Sequence, residues 1–144
     1  MPPVPRGDRG FELLEHTADV GLRVWAPDLG GMFAEAARAL IAVMGKGVGA
    51  VTRSESVTLE STDLEALFVD WLSEVLFLFE ARDVVAQKVE VAVSTDPCRL
   101  RAVIEGPSAE DFVEDGPAVK AVTYHRVSVQ PSDAGWEATV YLDV

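Results

Sequence analysis

The spacing of the apolar residues constrains this chain more than any other feature of its sequence. Over residues 29–44 they recur every three or four positions, which is the pattern of an amphipathic helix. Asp28 stands where such a helix needs an N-cap, and Gly45 stands where it needs a stop. A first helix is therefore predicted over 29–44, although Gly30 and Gly31 weaken its first turn.

A second helical pattern begins near residue 64 and closes near Asp83. Three further apolar residues, Val69, Phe77 and Leu78, lie outside its stripe, so apolar side chains surround much of this helix. A helix of that kind is expected at the centre of the fold. The stripe itself consists of Leu64, Leu67, Phe68, Trp71, Leu72, Val75, Leu76 and Phe79.

Most of the remaining chain alternates apolar and polar residues, which is typical of strands with one solvent-exposed side. Asp96-Pro97 separates two of these runs, as a hairpin turn does. Strands that follow one another through short turns pair antiparallel, so the predicted class is α+β: a two-layer sandwich of a mostly antiparallel sheet with two amphipathic helices. The alternating runs lie at 20–25, 56–60, 88–93, 100–104, 119–130 and 136–143.

Length and composition fit one domain. The 144 residues are 49% hydrophobic and 25% charged, which is the balance of a compact globular protein. Residues 1–10 are rich in Pro, Gly and Arg and are expected to form a flexible N-terminal tail, followed by a single domain over 11–144. Cys98 is the only cysteine, which excludes a disulfide framework and a clustered thiolate zinc site.

The formal net charge of -12 argues against a protein that holds nucleic acid through its own phosphate contacts. A basic partner or a cation fits that charge better. No apolar run approaches the length of a membrane span, and the tail lacks the apolar stretch of a signal peptide. A cytoplasmic protein is therefore expected.

Asp143 is the first candidate functional residue. Alternate residues from Trp136 to Leu142 form the apolar face of the last predicted strand, so Asp143 points away from the core. Val144 follows it, and its α-carboxylate adds a second anionic group within one residue. Two oxygen anions at a strand end suit a hard cation such as Ca²⁺, Mg²⁺ or Mn²⁺. A solvated carboxylate beside a frayed terminus is the alternative interpretation.

A second candidate group is His16-Thr17-Ala18-Asp19, which precedes the strand that begins at Val20. Loops at strand ends often carry functional sites, so Asp19 is a candidate metal ligand or general acid/base with His16 as its neighbour. The alternative is a structural turn in which Thr17 and Asp19 form hydrogen bonds with the local backbone.

Lys120 and His125 are the candidates in the penultimate strand. Lys120 shares its parity with Tyr124 and Arg126 on the predicted polar side, where it can anchor a phosphate or pair with Asp143; an ordinary cross-strand ion pair is the alternative. His125 shares its parity with the apolar residues of the strand, which favours a core or edge histidine over a metal ligand.

Motifs of self-sufficient enzymes are absent from the sequence. It contains no phosphate-binding loop, dinucleotide-binding glycine motif, His-Glu-x-x-His or Gly-x-Ser-x-Gly. The glycine-rich stretch 45–49 follows a helix, so a helix stop and turn are predicted there. Asp70 and Glu74 interrupt the second helix one turn apart and are expected to mark its solvent edge.

Four separated segments resemble the archease family in their order and spacing, and the resemblance covers nearly everything from residue 11 to 144. The segments are His16-Thr17-Ala18-Asp19-Val20-Gly21-Leu22-Arg23-Val24, Asp63-Leu64-Glu65-Ala66-Leu67-Phe68-Val69-Asp70-Trp71-Leu72, Val119-Lys120-Ala121-Val122-Thr123-Tyr124-His125 and Leu142-Asp143-Val144.

This resemblance implies a protein cofactor of the RtcB-type RNA-splicing ligase, which joins RNA ends in tRNA splicing or RNA repair. Archeases promote the metal-dependent guanylylation of that ligase and allow multiple turnover. The resemblance also implies an α+β sandwich with a strand-helix-strand-strand module. It places a calcium-type metal site on Asp19, Asp143 and Val144, an activation-critical lysine at Lys120, and a supporting residue beside the metal ligands at His16.

Two alternatives to a non-catalytic activator remain from the residues themselves. One is a small metal-dependent hydrolase that uses Asp19 and Asp143, which needs a nucleophile or base held near the metal. The other is a chaperone-like binding module, which needs an exposed apolar surface. Trp25, on the polar side of its strand, is the one indication of such a surface.

Overall fold

The computed structural model describes residues 7–15 and 19–144, and within them it contains two α-helices and nine strands. The strands are β1 Gly10–Glu15, β2 Asp19–Ala26, β3 Gly45–Gly47, β4 Arg53–Ser61, β5 Lys88–Thr95, β6 Cys98–Gly106, β7 Phe112–Glu114, β8 Ala121–Ser132 and β9 Gly135–Asp143. They form three antiparallel sheets with the strand orders β1-β2-β9-β8, β4-β6-β5 and β3-β7.

Both predicted helices are confirmed. Helix α1 spans Leu29–Met44 and helix α2 spans Leu64–Ala81. Each begins after an aspartate, because the Asp28 and Asp63 carboxylates accept the backbone N–H three residues ahead, at 2.6 and 2.7 Å. Helix α1 ends where Gly45 leaves helical geometry, with a φ of 157° that glycine adopts without a steric penalty.

The layers bear out the predicted α+β class. Helix α1 packs against β2 and β5, and helix α2 packs against β4 and β8, so each helix contacts both of the larger sheets. The order β4, α2, β5, β6 is the strand-helix-strand-strand module that the sequence resemblance implied. The β5–β6 hairpin turns at Asp96-Pro97, as predicted.

The core is centred on helix α2, which confirms the inference from its nearly continuous apolar surface. Trp71 is fully buried, and its indole Nε1–H donates to the Phe33 carbonyl of α1 at 2.8 Å. Phe33 and Phe68 meet edge to face with their ring centres 5.2 Å apart. These contacts fix the two helices against each other.

Strand β8 contains an irregularity that the sequence did not predict. Thr123 pairs with Tyr141 of β9, whereas Ser128 pairs with Thr139, so β8 has three more residues than β9 between these two pairs. Within this bulge Arg126 has a φ of 56°, which is the left-handed region. The alternation of side chains therefore changes within the bulge.

Two smaller regions differ from the sequence predictions. The glycine-rich stretch after α1 is more than a helix stop and turn, because Gly45–Gly47 forms β3 and pairs with β7. Strand β1 begins at Gly10, which the sequence placed in the flexible tail. In the described part of the chain, neither helix has the length and apolar content needed to cross a membrane.

Candidate functional site

The candidate site is built on one pair of opposed carboxylates. Asp19 is the first residue of β2 and lies directly opposite Asp143, the last residue of β9. Leu142 is fully buried, so Asp143 projects from the other, outer face of the sheet. Directly opposed residues of an antiparallel pair share a face. Asp19 and Asp143 therefore project together from the outer face, at one end of the sheet.

The surroundings of this pair leave oxygen atoms accessible. Asp143 is exposed, Asp19 is half-buried, and the half-buried Val144 packs against the core cluster. Next to the pair, a side chain at Gly21 would meet the Tyr141 ring at 2.8 Å, so the ring lies close over the β2 backbone. The Tyr141 ring therefore borders the two carboxylates on the outer face.

The donor set fits a hard cation. Two carboxylates on one face, with the backbone oxygen of the neighbouring Val144, offer only oxygen atoms, which Ca²⁺, Mg²⁺ and Mn²⁺ prefer over softer ligands. In the described residues no three His, Cys, Asp or Glu side chains converge on one point. A cation at Asp19 and Asp143 therefore requires the Val144 backbone oxygen or water as further ligands.

Lys120 lies at the same end of the sheet, and it is joined to Asp143 through the backbone. Its N–H donates to the Asp143 carbonyl at 2.7 Å. Lys120 lines a shallow cavity of about 280 Å³ together with its neighbours Ala121 and Val122 and with residues of helix α2, namely Ser73, Leu76, Phe77 and Glu80. Among the described residues, the ion pairs involve other cations and none includes Lys120. The predicted ion pair between Lys120 and Asp143 is therefore not formed there.

The predicted parity of the penultimate strand is wrong in its first half. Val122 pairs with the buried Leu142, and the Tyr124 hydroxyl donates to Asp70 of α2 at 3.4 Å, so these even-numbered residues lie on the inner side of the sheet and not on its polar side. His125 is exposed and meets the Tyr141 ring edge to face at 6.2 Å, so it lies on the outer face. The bulge accounts for the error, because its three extra residues reverse the alternation between Thr123 and Ser128.

The His16 prediction lies outside the described residues, as do Thr17 and Ala18. Asp19 is described and is the first residue of β2. It has an electrostatic or hydrogen-bonding partner of its own.

Asp70 is a structural residue that the sequence analysis underestimated. The sequence predicted only a solvent edge of α2, but the Asp70 carboxylate accepts the Ser61 hydroxyl at 2.6 Å and the Tyr124 hydroxyl at 3.4 Å. The half-buried aspartate thus connects α2 to β4 and to the β8 bulge. Its position inside an otherwise apolar stripe was the available signal, because a carboxylate there needs partners.

Trp25 does not provide the exposed aromatic surface of a binding module. It is half-buried, and its indole N–H donates to the Gly7 carbonyl at 3.0 Å. A side chain at Gly10 would meet the indole ring at 2.8 Å, so the N-terminal segment packs against it. This removes the one sequence indication that favoured that alternative.

The sequence matches the archease protein family (MTH1598/TM1083) over residues 11–144. This chain belongs to the archease family. It is 35% identical to the protein archease of Methanosarcina acetivorans, over 98% of this chain and 100% of that protein. It is 34% identical to the protein archease of Methanopyrus kandleri, over 93% of this chain and 99% of that protein.

Solved structures agree with this archease assignment. The solution structure of Methanobacterium thermoautotrophicum protein 1598 superposes with a TM-score of 0.80 at 30% identity, covering 94% of this chain and 99% of that one. The crystal structure of the Thermotoga maritima protein described as "an archease, possible chaperone" has a TM-score of 0.62 at 17% identity, covering 91% and 94%. The second likeness shows the fold alone. The matched relatives are named as archeases and not for a catalytic reaction.

Proposed function

We propose that this archease activates an RtcB-type RNA-splicing ligase, promoting its metal-dependent guanylylation and allowing multiple turnover in tRNA splicing or RNA repair. Membership of the archease family supports this role. The net charge of -12 also supports it, because an acidic protein is poorly suited to hold RNA by itself and well suited to a cation or a basic protein surface. A cytoplasmic location belongs to the same proposal.

The observation that carries the proposal is the pairing of Asp19 with Asp143 across β2 and β9. These two residues come from distant parts of the chain, and the fold brings them to one face at one sheet end. Lys120 is held at the same end by its hydrogen bond to the Asp143 carbonyl. The three residues that the family resemblance marks as activation-critical are thus neighbours in space.

Asp19, Asp143 and the carboxylate of Val144 would hold a divalent cation, with Ca²⁺ favoured over Mg²⁺ and Mn²⁺. Calcium tolerates irregular oxygen geometry, whereas magnesium requires a near-ideal octahedron and keeps its water. When bound, the cation supplies positive charge where two like charges face each other. The two strands hold the carboxylates in register before binding, so little backbone ordering is required.

The test is guanylylation of an RtcB-type ligase with GTP and Mn²⁺, with this protein present in substoichiometric amounts. The proposal predicts faster guanylylation and several ligations per ligase molecule. Asp143→Ala should abolish the stimulation while its circular dichroism spectrum stays native. Asp133→Ala is the matched control, because Asp133 is an exposed aspartate in the turn at the other end of β9. This variant should stimulate the ligase as the wild type does. A ligase that is no faster and does not recycle with the wild-type protein would refute the proposal.

A further inference from the structure

We infer that the partner ligase docks by adding a strand of its own to the open edge of β1, and that this strand carries a basic residue between two apolar residues. This inference rests on the proposed function, and it names the surface and the kind of segment through which the ligase binds. Asp19 and Asp143 then meet the ligase from a sheet that is already joined to it.

The two edges of the β1-β2-β9-β8 sheet differ in how they are protected. In the described part of the chain β1 pairs with β2 alone, so its other edge has no partner strand there. The opposite edge, β8, is interrupted by the bulge between Thr123 and Ser128 and contains Pro131. Bulges and prolines prevent the addition of further strands, and β1 contains neither. Strand β1 is therefore the open edge of this sheet.

The inner side of β1 carries apolar side chains that the core does not cover. Phe11 and Leu13 lie opposite Val24 and Leu22, which are fully buried. Directly opposed residues share a face, so Phe11 and Leu13 point to the inner face as well. They are nevertheless 38% and 57% exposed, because helix α1 packs more extensively against β2 than against β1. Apolar side chains of an added strand would bury this margin of the core.

The outer side of β1 ends a row of alternating charges. Arg23 of β2 lies between two carboxylates: its Nη1 donates to Glu12 of β1 at 2.6 Å, and its Nε lies 3.3 Å from Glu137 of β9. The row therefore ends with a carboxylate at the open edge. A basic side chain on the next strand, beside Glu12, would continue the alternation, because opposite charges on adjacent strands attract each other.

The two faces together define the segment that fits. Successive residues of a strand point to opposite faces, so residues 11, 12 and 13 match an apolar, a basic and an apolar residue in turn. A second copy of β1 does not fit this pattern, because β1 contains two glutamates and no basic residue, and each chain carries a net charge of -12. The occupant is therefore a segment of the ligase and not a second copy of this chain.

The open edge also leads to the acidic pair. Strands β1 and β2 are antiparallel, so Glu15 at the end of β1 pairs with Val20, the residue after Asp19. An added strand would lie two strand spacings from β2, which is about 10 Å. A ligase segment bound there reaches the sheet end that carries Asp19 and Asp143.

Amide hydrogen exchange with and without the ligase, in the absence of GTP and RNA, tests the added strand directly. Backbone N–H groups that gain a partner strand are protected, so the ligase should slow exchange within residues 10–15 at least about tenfold. Residues 88–95 of β5, at an edge of the β4-β6-β5 sheet, are the internal control and should exchange at the same rate in both samples. A complex that forms without protection of residues 10–15 would overturn the proposal.

Ligase affinity tests the side chains. Leu13→Lys places a charge at a position that is already exposed, so the domain should fold and the dissociation constant should rise at least about tenfold. Val103→Lys is its control, because Val103 is an exposed apolar residue of the other large sheet.

Glu12→Lys reverses the charge at the open edge and should weaken ligase binding at least about fivefold. Glu60→Lys is its control, because it breaks a similar cross-strand ion pair, that between Glu60 and Arg99, on the other large sheet. Both control variants should bind the ligase as the wild type does, and equal binding by all four variants would exclude the β1 edge.

Sedimentation and the guanylylation assay separate the remaining outcomes. The wild type should sediment as a monomer, and a dimer that Leu13→Lys dissociates would show that a second copy occupies the edge, which overturns the proposal. If the wild type stimulates the ligase and the β1 variants bind normally, the β1 assignment is wrong and the proposed function stands. If the ligase protects residues 10–15 without being stimulated, the proposed function fails and the added strand stands. A ligase that neither binds nor is stimulated overturns both.

Discussion

Replacing Asp143 with asparagine should make this archease more stable without a cation and less stable with one. Asp143 and Asp19 face each other across β2 and β9 on the same side of the sheet. Like charges directly opposite in an antiparallel pair destabilise the fold, by roughly 0.2–1 kcal/mol. Asparagine removes one charge and keeps the size of the side chain, so this repulsion disappears.

The expected magnitudes follow from the size of the domain. With 144 residues, about 1 kcal/mol corresponds to about 3–5 °C in Tm. In EDTA at low salt, Asp143→Asn should therefore melt roughly 1–5 °C above the wild type. With calcium at about 100 times its Kd, binding stabilises the wild type by about 2.7 kcal/mol, or roughly 8–13 °C, and the variant should gain little.

The assay is thermal unfolding followed by circular dichroism, in EDTA and over a series of CaCl₂ concentrations. The signature is a reversal in the order of the two melting temperatures between the two conditions. Asp133→Asn, at the far end of the same hairpin, should show the same calcium response as the wild type. If Asp143→Asn melts lower than the wild type in EDTA, or follows the wild type in CaCl₂, the carboxylates do not form a repulsive pair that a cation relieves.

Three further predictions concern other parts of the molecule. Extending the chain beyond Val144 should weaken calcium binding, because it replaces a carboxylate by an amide; equal calorimetric affinities would exclude the terminus from the site. Trp71→Phe should lower Tm by about 8 °C, since it removes the indole hydrogen bond to the Phe33 carbonyl and leaves a cavity in the core, together worth about 2 kcal/mol. An unchanged melting curve would contradict this. Burial, the charge of Asp70 and the hydrogen bond to it raise the pKa of Tyr124. The neutral phenol therefore stabilises the fold at pH values below the ordinary tyrosine pKa. This stabilisation is lost as the pH rises through the higher pKa of Tyr124 in the folded protein. Ultraviolet titration should show that Asp70→Asn lowers this pKa, and a midpoint unchanged by the substitution would refute the assigned cause.

Much of the fold could be predicted from local periodicity in the sequence. The apolar stripe and its flanking residues predicted α1 to the residue at both ends, because Asp28 and Gly45 are strong and specific end signals. Alternation likewise placed Leu142 inside and Asp143 outside. Both predictions depend on neighbours within a few residues, where backbone geometry leaves few choices.

Long-range register could not be obtained in that way. Nothing in the sequence pattern alone shows that residue 19 faces residue 143, because the pairing depends on how β9 inserts between β2 and β8. The β8 bulge could not be predicted from the pattern either, and its three extra residues reverse the parity on which the His125 interpretation depended. The metal-site and Lys120 assignments came from the family resemblance and stay predictions, as does the division into a tail and a domain.

The central claim is that this archease activates its ligase through the opposed carboxylates of Asp19 and Asp143. The most direct measurement is the rate of ligase guanylylation with GTP and Mn²⁺, using the wild type and Asp143→Ala at substoichiometric amounts beside Asp133→Ala. The account predicts strong stimulation and turnover with the wild type and Asp133→Ala, and none with a folded Asp143→Ala. Full stimulation by Asp143→Ala, or no stimulation by the wild type, would contradict it.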